Sequence, residues 1–193
     1  MEPYKFQTHQ TETGFTLPSV HAFPAFFCFQ PFPASRADQD ALWTRLILSY
    51  ARHRRLFTLS ADDAERQNSE WLDVLTNDRI NRRLTKTQVT TLLQTLVSQN
   101  QAAYEPPKQD STALIYWRKP EEWAETLHSW AVSTGQLNTI LTFYEIQEPE
   151  LPSELSGIPT PLLRRIIGIL TKSNRAQMID SAEGDGVRFY TGT

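Results

Sequence analysis

Residues 85–118, TKTQVTTLLQTLVSQNQAAYEPPKQDSTALIYWR, contain the clearest structural pattern in the chain. Apolar side chains in the first part of this stretch recur at helical spacing, which predicts a helix with one buried face: Val89, Leu92, Leu93, Leu96 and Val97. Thr85 or Thr87 is expected to cap this helix, because a threonine oxygen accepts from the free N–H groups of the first turn. Two short strands, 102–105 and 112–117, follow around a proline-containing loop. The stretch therefore predicts a helix that leads into a β-hairpin.

Residues 160–190, near the end of the chain, repeat this pattern. A helix opened by Thr160-Pro161 carries an apolar stripe: Leu162, Leu163, Ile166, Ile167 and Leu170. Strands are expected over 176–179 and 187–190, with the sequence GDG at 184–186 forming the hairpin turn between them. Leu93 and Ile167 are therefore predicted to be the buried centres of two equivalent helices.

Similar elements precede each of these helices. Before the first, the sequence predicts a helix over 38–55 with a capping box at 35–38, a strand over 57–60 and a helix over 72–84. Before the second, it predicts a helix from Pro120 to near Gly135, a strand over 138–141 and a short helix with a capping box at 142–145. The order helix, strand, helix, helix, strand, wing, strand thus occurs twice. It predicts an α+β fold, mostly α, of two tandem winged-helix domains over residues 35–118 and 119–193.

Residues 1–34 are predicted to form an extended proline-aromatic arm. Proline fixes φ and biases the preceding residue toward extended backbone, so the spacing of Pro18, Pro24, Pro31 and Pro33 suits neither a helix nor a central strand. The many aromatic side chains between these prolines are costly in water, so we expect them to be buried. Two alternatives are open. The arm docks in an aromatic-lined groove of a partner, or it folds back on its own domain.

The composition argues against an enzyme or a metal protein. The chain has 193 residues, a net charge of −3 and one cysteine, which rules out an internal disulfide framework and a multi-cysteine metal site. Cys28 lies among aromatics, so we expect a buried thiol. The four histidines are scattered along the chain, and no arrangement of residues indicates catalysis, a metal ion or a cofactor. No apolar run of 18 residues occurs, so we expect no membrane insertion.

A winged-helix transcription factor is the alternative from a different class. A DNA reader needs lysines and arginines on its third helix and wing. The segment 87–100 carries no basic residue, and residues 119–193 hold six basic against ten acidic residues, which gives −4. These charges argue against DNA as a partner, and salt-dependent duplex binding is the observation that would favour it.

Several further segments carry a family resemblance. They are LPSV at 17–20, FPAFF at 23–27, IYWRKPEEW at 115–123, GQLN at 135–138, LTFYE at 141–145 and GVRF at 186–189. Together these motifs resemble the vacuolar protein-sorting-associated protein 25 family, whose members are subunits of the endosomal ESCRT-II complex. The similarity extends from about Leu17 to Tyr190, and the segment WRKPEEW is its most specific part.

The resemblance implies tandem winged helices that bind proteins and not DNA. Two copies of the chain are expected to attach to the two other ESCRT-II core subunits through proline-aromatic motifs, which fall here on Leu17, Pro18, Val20, Phe23, Pro24, Phe26 and Phe27. This chain departs from the family, since Ser19 and Ala25 stand where a second proline is usual. The implied protein is a non-catalytic adaptor in multivesicular-body sorting of ubiquitinated cargo, cytoplasmic and recruited to the endosomal membrane.

The resemblance also implies a downstream contact. The second winged helix is expected to recruit the ESCRT-III subunit vacuolar protein-sorting protein 20 and so to nucleate ESCRT-III. ESCRT-III subunits resemble one another in a basic N-terminal helical hairpin, so an acidic surface is the better match. We therefore expect the contact on the acidic loop of the second domain: Glu145, Glu148, Glu150 and Glu154. A solvated linker is the alternative interpretation of this loop.

Overall fold

The computed structural model describes residues 8–181 and 184–191. The chain divides into two compact units, the first ending at Trp117 and the second beginning at Arg118. The helix and strand order of each unit is consistent with the predicted winged helices.

The first unit is built around one hydrophobic core. In chain order its helices and strands are β1 (His9–Gln10), β2 (Thr16–Leu17), α1 (Pro33–Arg54), β3 (Thr58–Ser60), α2 (Leu72–Leu75), β4 (Thr76–Asn77), β5 (Arg82–Arg83), α3 (Lys86–Ser98), β6 (Ala102–Tyr104) and β7 (Thr112–Ile115). An antiparallel sheet has the order β3-β7-β6, while β1 pairs with β2 and β4 with β5. The buried sides of α1 and α3 close the core beside these strands.

The predicted face of α3 is confirmed. Thr85 caps the helix by accepting from the Gln88 N–H at 3.3 Å, and the Gln88 side chain accepts from the Thr85 N–H at 2.8 Å. This reciprocal pair satisfies two free donors of the first turn. Leu93 is fully buried, as the spacing predicted.

The predicted helix over 72–84 is wrong beyond its first turn. The backbone of Thr76 is extended, and a β4–β5 hairpin replaces the rest of the helix. Asn81 adopts a left-handed conformation at φ 51°, which asparagine tolerates better than most residues. The Leu84 N–H donates to the Leu75 carbonyl at 2.9 Å and closes the hairpin. Local turn chemistry therefore overrides the apolar spacing.

The start of α1 also differs from the prediction. The helix begins at Pro33 with Phe32 as its N-cap, and no side chain caps it, so the capping box at 35–38 is wrong. Proline is well placed at this position because its missing N–H would have no partner there.

The described part of the arm is not extended throughout. It forms the β1–β2 hairpin and two 3₁₀ turns, Ser19–Ala22 and Pro24–Phe27. Leu17, Phe26 and Phe27 belong to the core of the first unit, so this segment folds back on its own domain. Cys28 is exposed, and the expectation of a buried thiol is wrong. Phe26 and Phe27 turn inward at this point and leave the thiol on the outer side.

The second unit contains a second three-stranded sheet. Its elements are α4 (Pro120–Ser133), β8 (Ile140–Thr142), α5 (Phe143–Gln147), α6 (Thr160–Lys172), β9 (Ala176–Ser181) and β10 (Gly184–Phe189), and the strand order is β8-β10-β9. Ile167 is fully buried at the centre of α6, as predicted. The N-cap of α6 is Pro159, so Thr160 is already its first helical residue.

The GDG sequence at 184–186 lies in strand β10 and does not form the predicted turn. Gly184 pairs with Ser181, and Gly186 pairs with Ile179 on one side and with Thr142 on the other. A Cβ at Gly186 would approach the Ile140 side chain to 3.3 Å. The glycine therefore serves close strand packing in the middle of the sheet. The turn itself lies outside the described residues.

Candidate functional site

The first candidate surface is the segment from Phe23 to Cys28, which we call the proline-aromatic turn. Phe23 has extended backbone at φ −98° and ψ 117°, and Pro24 occupies the first position of the 3₁₀ turn. Proline fixes φ near the helical value, so the backbone of Pro24 already has the φ angle that the turn requires. The Cys28 N–H donates to the Ala25 carbonyl at 3.2 Å and ends it.

The structure divides the seven predicted contact residues into two sets. Leu17, Phe26 and Phe27 are buried in the core of the first unit. Pro18 and Pro24 are exposed and Val20 is partly buried, while Phe23 has 46% of its surface exposed. The inner set therefore anchors the segment, and the outer set is wholly or partly exposed.

The buried aromatics pack around Trp43 of α1. Phe26 stacks on the Trp43 ring at 4.2 Å between centroids, and Phe27 meets the same ring edge-on at 5.4 Å. Offset-stacked and edge-to-face pairs stabilise a core beyond the apolar area that they bury. Trp43 thus fixes the inner side of the turn.

Polar side chains from two helices bind the carbonyl groups of the turn. Gln39 of α1 donates to the carbonyls of Phe26 and Cys28, at 2.8 Å each. The Trp43 indole donates to the Phe26 carbonyl at 3.0 Å, and Gln88 of α3 donates to the Phe27 carbonyl at 2.8 Å. Buried carbonyls need such donors, because an unpaired one loses its hydration without compensation.

The sequence patterns did not predict the roles of Gln39 and Gln88. The signal for Gln39 was present, since it stands four residues before Trp43 on the apolar stripe of α1. A polar amide at a core-facing position indicates a buried hydrogen-bond network. Nothing in the local sequence pointed from Gln88 to the turn, which lies 61 residues earlier.

His21 anchors the residues just before the turn. Its ring is buried, its Nε2 lies 2.8 Å from the Val74 carbonyl oxygen, and its Nδ1 lies 3.3 Å from the Asn77 side-chain nitrogen. A carbonyl accepts only and an amide nitrogen donates only, so Nε2 carries the proton and Nδ1 accepts. Burial lowers the pKa of His21, since it disfavours the charged ring.

The second candidate surface is the acidic loop, residues 145–154. Glu145 accepts from the Thr142 N–H at 2.6 Å and from the Thr142 hydroxyl at 2.8 Å, as the predicted capping box requires. These bonds lower the pKa of Glu145. Glu154 binds Arg118 at 2.6 Å. Glu148 and Glu150 are exposed, and neither forms an ion pair with the described residues.

Arg118 connects this loop to α4. Its guanidinium lies 4.5 Å from the centre of the Trp123 ring and donates to the Thr126 hydroxyl at 3.3 Å. One face of Arg118 therefore packs on the helix while one nitrogen holds Glu154. The WRKPEEW motif thus fixes one end of the acidic loop.

The basic side chains that a DNA reader would need are partly engaged. Lys86, at the start of α3, pairs with Asp62, and Arg164 of α6 pairs with Asp185. Arg175 makes a two-point contact with Glu125, at 2.8 and 2.6 Å. Ion pairs of this kind reduce the positive field available for phosphate.

The described residues form neither a metal cluster nor a membrane-spanning helix. Over 8–181 and 184–191, no group of three or more histidine, cysteine or acidic side chains is arranged to hold a metal ion. Within the same ranges, no helix is long and apolar enough to cross a membrane.

Comparison with known proteins identifies the family. A family model described as "ESCRT-II complex subunit" matches residues 20–159. The chain belongs to the ESCRT-II complex subunit family. The match includes the proline-aromatic turn and the acidic loop.

Curated relatives of this ESCRT-II chain match it over nearly their whole length. The vacuolar protein-sorting-associated protein 25 of Drosophila melanogaster is 34% identical, and the match covers 91% of this chain and 98% of that protein. The Danio rerio protein of the same name is 33% identical over 92% of this chain and 99% of its own length. The Homo sapiens protein is 29% identical over 92% and 98%.

Solved ESCRT-II structures have the same fold. The crystal structure of "subunit VPS25 of the endosomal trafficking complex ESCRT-II" superposes with a TM-score of 0.78 at 22% identity, covering 89% of this chain and 98% of that one. A VPS22/VPS25/VPS36 complex of ESCRT-II contains a chain that superposes with a TM-score of 0.75, also at 22% identity, over 90% and 98%. These matches confirm the predicted mixture of helix and sheet.

Proposed function

We propose that this chain is a non-catalytic adaptor subunit of ESCRT-II that acts in multivesicular-body sorting of ubiquitinated cargo. Two copies attach to the VPS22 and VPS36 subunits, and the assembly works on the cytoplasmic side of the endosomal membrane. In the proposed organisation, the segment before α1 carries the upstream contact and the second winged-helix domain, residues 119–193, carries the downstream one.

The observation that supports docking is the rigid, two-sided proline-aromatic turn. Phe26 and Phe27 are fixed in the core of the chain, while Phe23 and Pro24 point outward from the same turn. A half-exposed phenylalanine next to an exposed proline, both held in one conformation, loses little entropy on binding. Such aromatic anchors carry much of the affinity at protein interfaces.

The test is the loss of VPS22–VPS36 binding in Phe23→Ala. We expect the substitution to weaken binding by about 2 kcal/mol, roughly thirtyfold, because it removes an aromatic anchor. The measurement is titration of the purified full-length chain into the purified VPS22–VPS36 pair, with circular dichroism to show that the variant remains folded.

Phe32→Ala is the matched control for this experiment. Phe32 has 73% of its surface exposed and lies outside the turn, at the N-cap of α1. We expect the control to bind like the wild type. If Phe23→Ala binds the VPS22–VPS36 pair with the same affinity as the wild type, the turn is not the docking element.

The acidic loop is the proposed contact for ESCRT-III. Its accessible carboxylates are Glu148 and Glu150, which face solvent. Glu145 and Glu154 support the loop instead, through the α5 cap and through Arg118. We propose that the exposed pair attracts the basic hairpin of vacuolar protein-sorting protein 20, and that the second domain so recruits and nucleates ESCRT-III. Rim charges of this type act mainly on association rate.

A further inference from the structure

The carbonyl groups of the proline-aromatic turn need donors that the turn itself does not provide. A single 3₁₀ turn leaves the carbonyls at its end without backbone partners. Here the carbonyls of Phe26, Phe27 and Cys28 receive donors from side chains of α1 and α3. The conformation of this surface segment therefore depends on the helices below it.

Gln39 makes more of these contacts than any other side chain, and the Gln30 side chain adds donors to the Ala25 and Cys28 carbonyls at 3.0 and 3.1 Å. The Gln39 side-chain nitrogen donates to the Phe26 and Cys28 carbonyls at 2.8 Å each and lies 3.3 Å from the Ala25 carbonyl. Its side-chain oxygen accepts from the Gln30 N–H at 3.1 Å. Since the carbonyls require a donor and the Gln30 N–H requires an acceptor, only one orientation of the amide satisfies all of them. Gln39 is buried, so solvent does not compete for these bonds.

We infer that Gln39 is a positioning residue that holds the proline-aromatic turn in its binding conformation. The turn lacks one source of rigidity, because Ala25 leaves φ unrestrained at its second position. Gln39 supplies that restraint from below, together with Trp43, which shares the Phe26 carbonyl as acceptor. Phe23 and Pro24 are thereby presented at a fixed angle before any partner arrives. The binding readout of this inference rests on the proposed docking function.

Gln39→Met is the decisive variant. Methionine has a similar length but no amide, so the turn keeps its packing volume and loses only the donors that Gln39 supplies. We expect binding to the VPS22–VPS36 pair to weaken on the order of tenfold, because ordering the turn becomes part of the binding reaction. Leu59→Val in β3 is the control, since it mildly destabilises a fully buried site that makes no hydrogen bond to the turn.

A second readout needs no partner. The Gln30 N–H is bonded to Gln39, so its hydrogen exchange in the isolated full-length chain should accelerate in Gln39→Met and not in Leu59→Val. The Trp43 indole resonance should also shift, because the Phe26 carbonyl then has one donor instead of two.

These measurements separate the possible outcomes. Faster Gln30 exchange together with a tenfold loss of affinity supports the positioning role. Unchanged Gln30 exchange, or an affinity loss equal to that of Leu59→Val, overturns it. If wild-type chain fails to bind VPS22–VPS36 while Gln30 exchange still responds to Gln39→Met, the docking proposal fails and the positioning of the turn by Gln39 stands.

Discussion

The proline-aromatic turn and the acidic loop are both short, proline-containing segments that present an apolar side chain to solvent. They differ in what holds them. Side chains of α1 and α3 bind the carbonyls of the turn, and two of its phenylalanines lie in the core. The loop is fixed at its ends, by Arg118 and by Gln147, which donates to the Ile158 carbonyl at 2.7 Å. Leu151 between these ends has 82% of its surface exposed.

This difference separates two ways of making an interaction surface. In the turn, the same few residues pack in the core and form the exposed surface, so the shape of the turn is coupled to the stability of the first unit. In the loop, the exposed part is separate from the residues that pack in the core, because Ile146 is buried before it and Leu155 and Ile158 are buried after it. The turn is suited to a fixed, specific contact, and the loop to electrostatic attraction.

The largest expected effect that tests this comparison is on stability. Phe26→Ala should lower the free energy of unfolding of the first unit by about 3–5 kcal/mol, because it removes a side chain that is 4% exposed and stacks on Trp43. Leu151→Ala should change it by less than about 0.5 kcal/mol. Urea denaturation followed by circular dichroism measures both. Similar losses in the two variants would contradict the distinction between an integrated turn and a separate loop.

The regular helices could be predicted because their signal is periodic and local. The apolar spacing is sufficient to predict that Leu93 and Ile167 are buried, and the tertiary packing agrees with it. The hairpin in place of the second helix could not be predicted in this way. Its geometry depends on Asn81 in a left-handed conformation and on a bond between Leu84 and Leu75 that apolar spacing does not report.

The candidate sites were harder to predict than the fold. The composition of the arm fits a partner groove and its own domain equally well, so only tertiary packing could assign Phe26 and Phe27 to the core. Gln39 leaves the helical spacing of the apolar residues in α1 unchanged, although a polar side chain on that apolar stripe is unusual. Glu145 already had a predicted capping role, and that role is the one that the structure shows.

A smaller effect is expected from pH, and only in the segment that holds the turn. The pKa of buried His21 lies below its ordinary value of 6.5. The unfolded chain therefore takes up a proton first as the pH falls, so the stabilisation is complete above about pH 6.5 and is lost progressively below it. Asn77 opposes protonation directly, because its side-chain nitrogen donates toward Nδ1 and to the His21 carbonyl.

Stability measured by urea between about pH 7.5 and 5.5 tests this effect. Wild type should lose more stability over this range than His21→Gln, whose side-chain amide can still donate to the Val74 carbonyl but does not titrate. His128→Gln in the second unit is the control and should retain the pH response of the first unit. If the wild type loses no more stability over this pH range than His21→Gln does, His21 is not the source of the pH dependence.

The smallest expected effect is kinetic and concerns the acidic loop. Glu148→Lys combined with Glu150→Lys should slow association with vacuolar protein-sorting protein 20 several-fold at low salt and leave dissociation nearly unchanged, because exposed rim charges steer encounter more than they hold a complex. Glu154 is left intact, so that the Arg118 contact still fixes the loop. The difference from wild type should vanish as salt screens the charges beyond about 10 Å.

Stopped-flow binding measures both rates, and Glu65→Lys with Asp110→Lys in the first unit makes the same change in net charge elsewhere. If this control slows association equally, net charge alone is responsible; if neither pair slows it, the loop does not steer. If only the loop variant associates more slowly, the exposed carboxylates of the loop act locally. This is the behaviour expected of a charged segment that lies apart from the core.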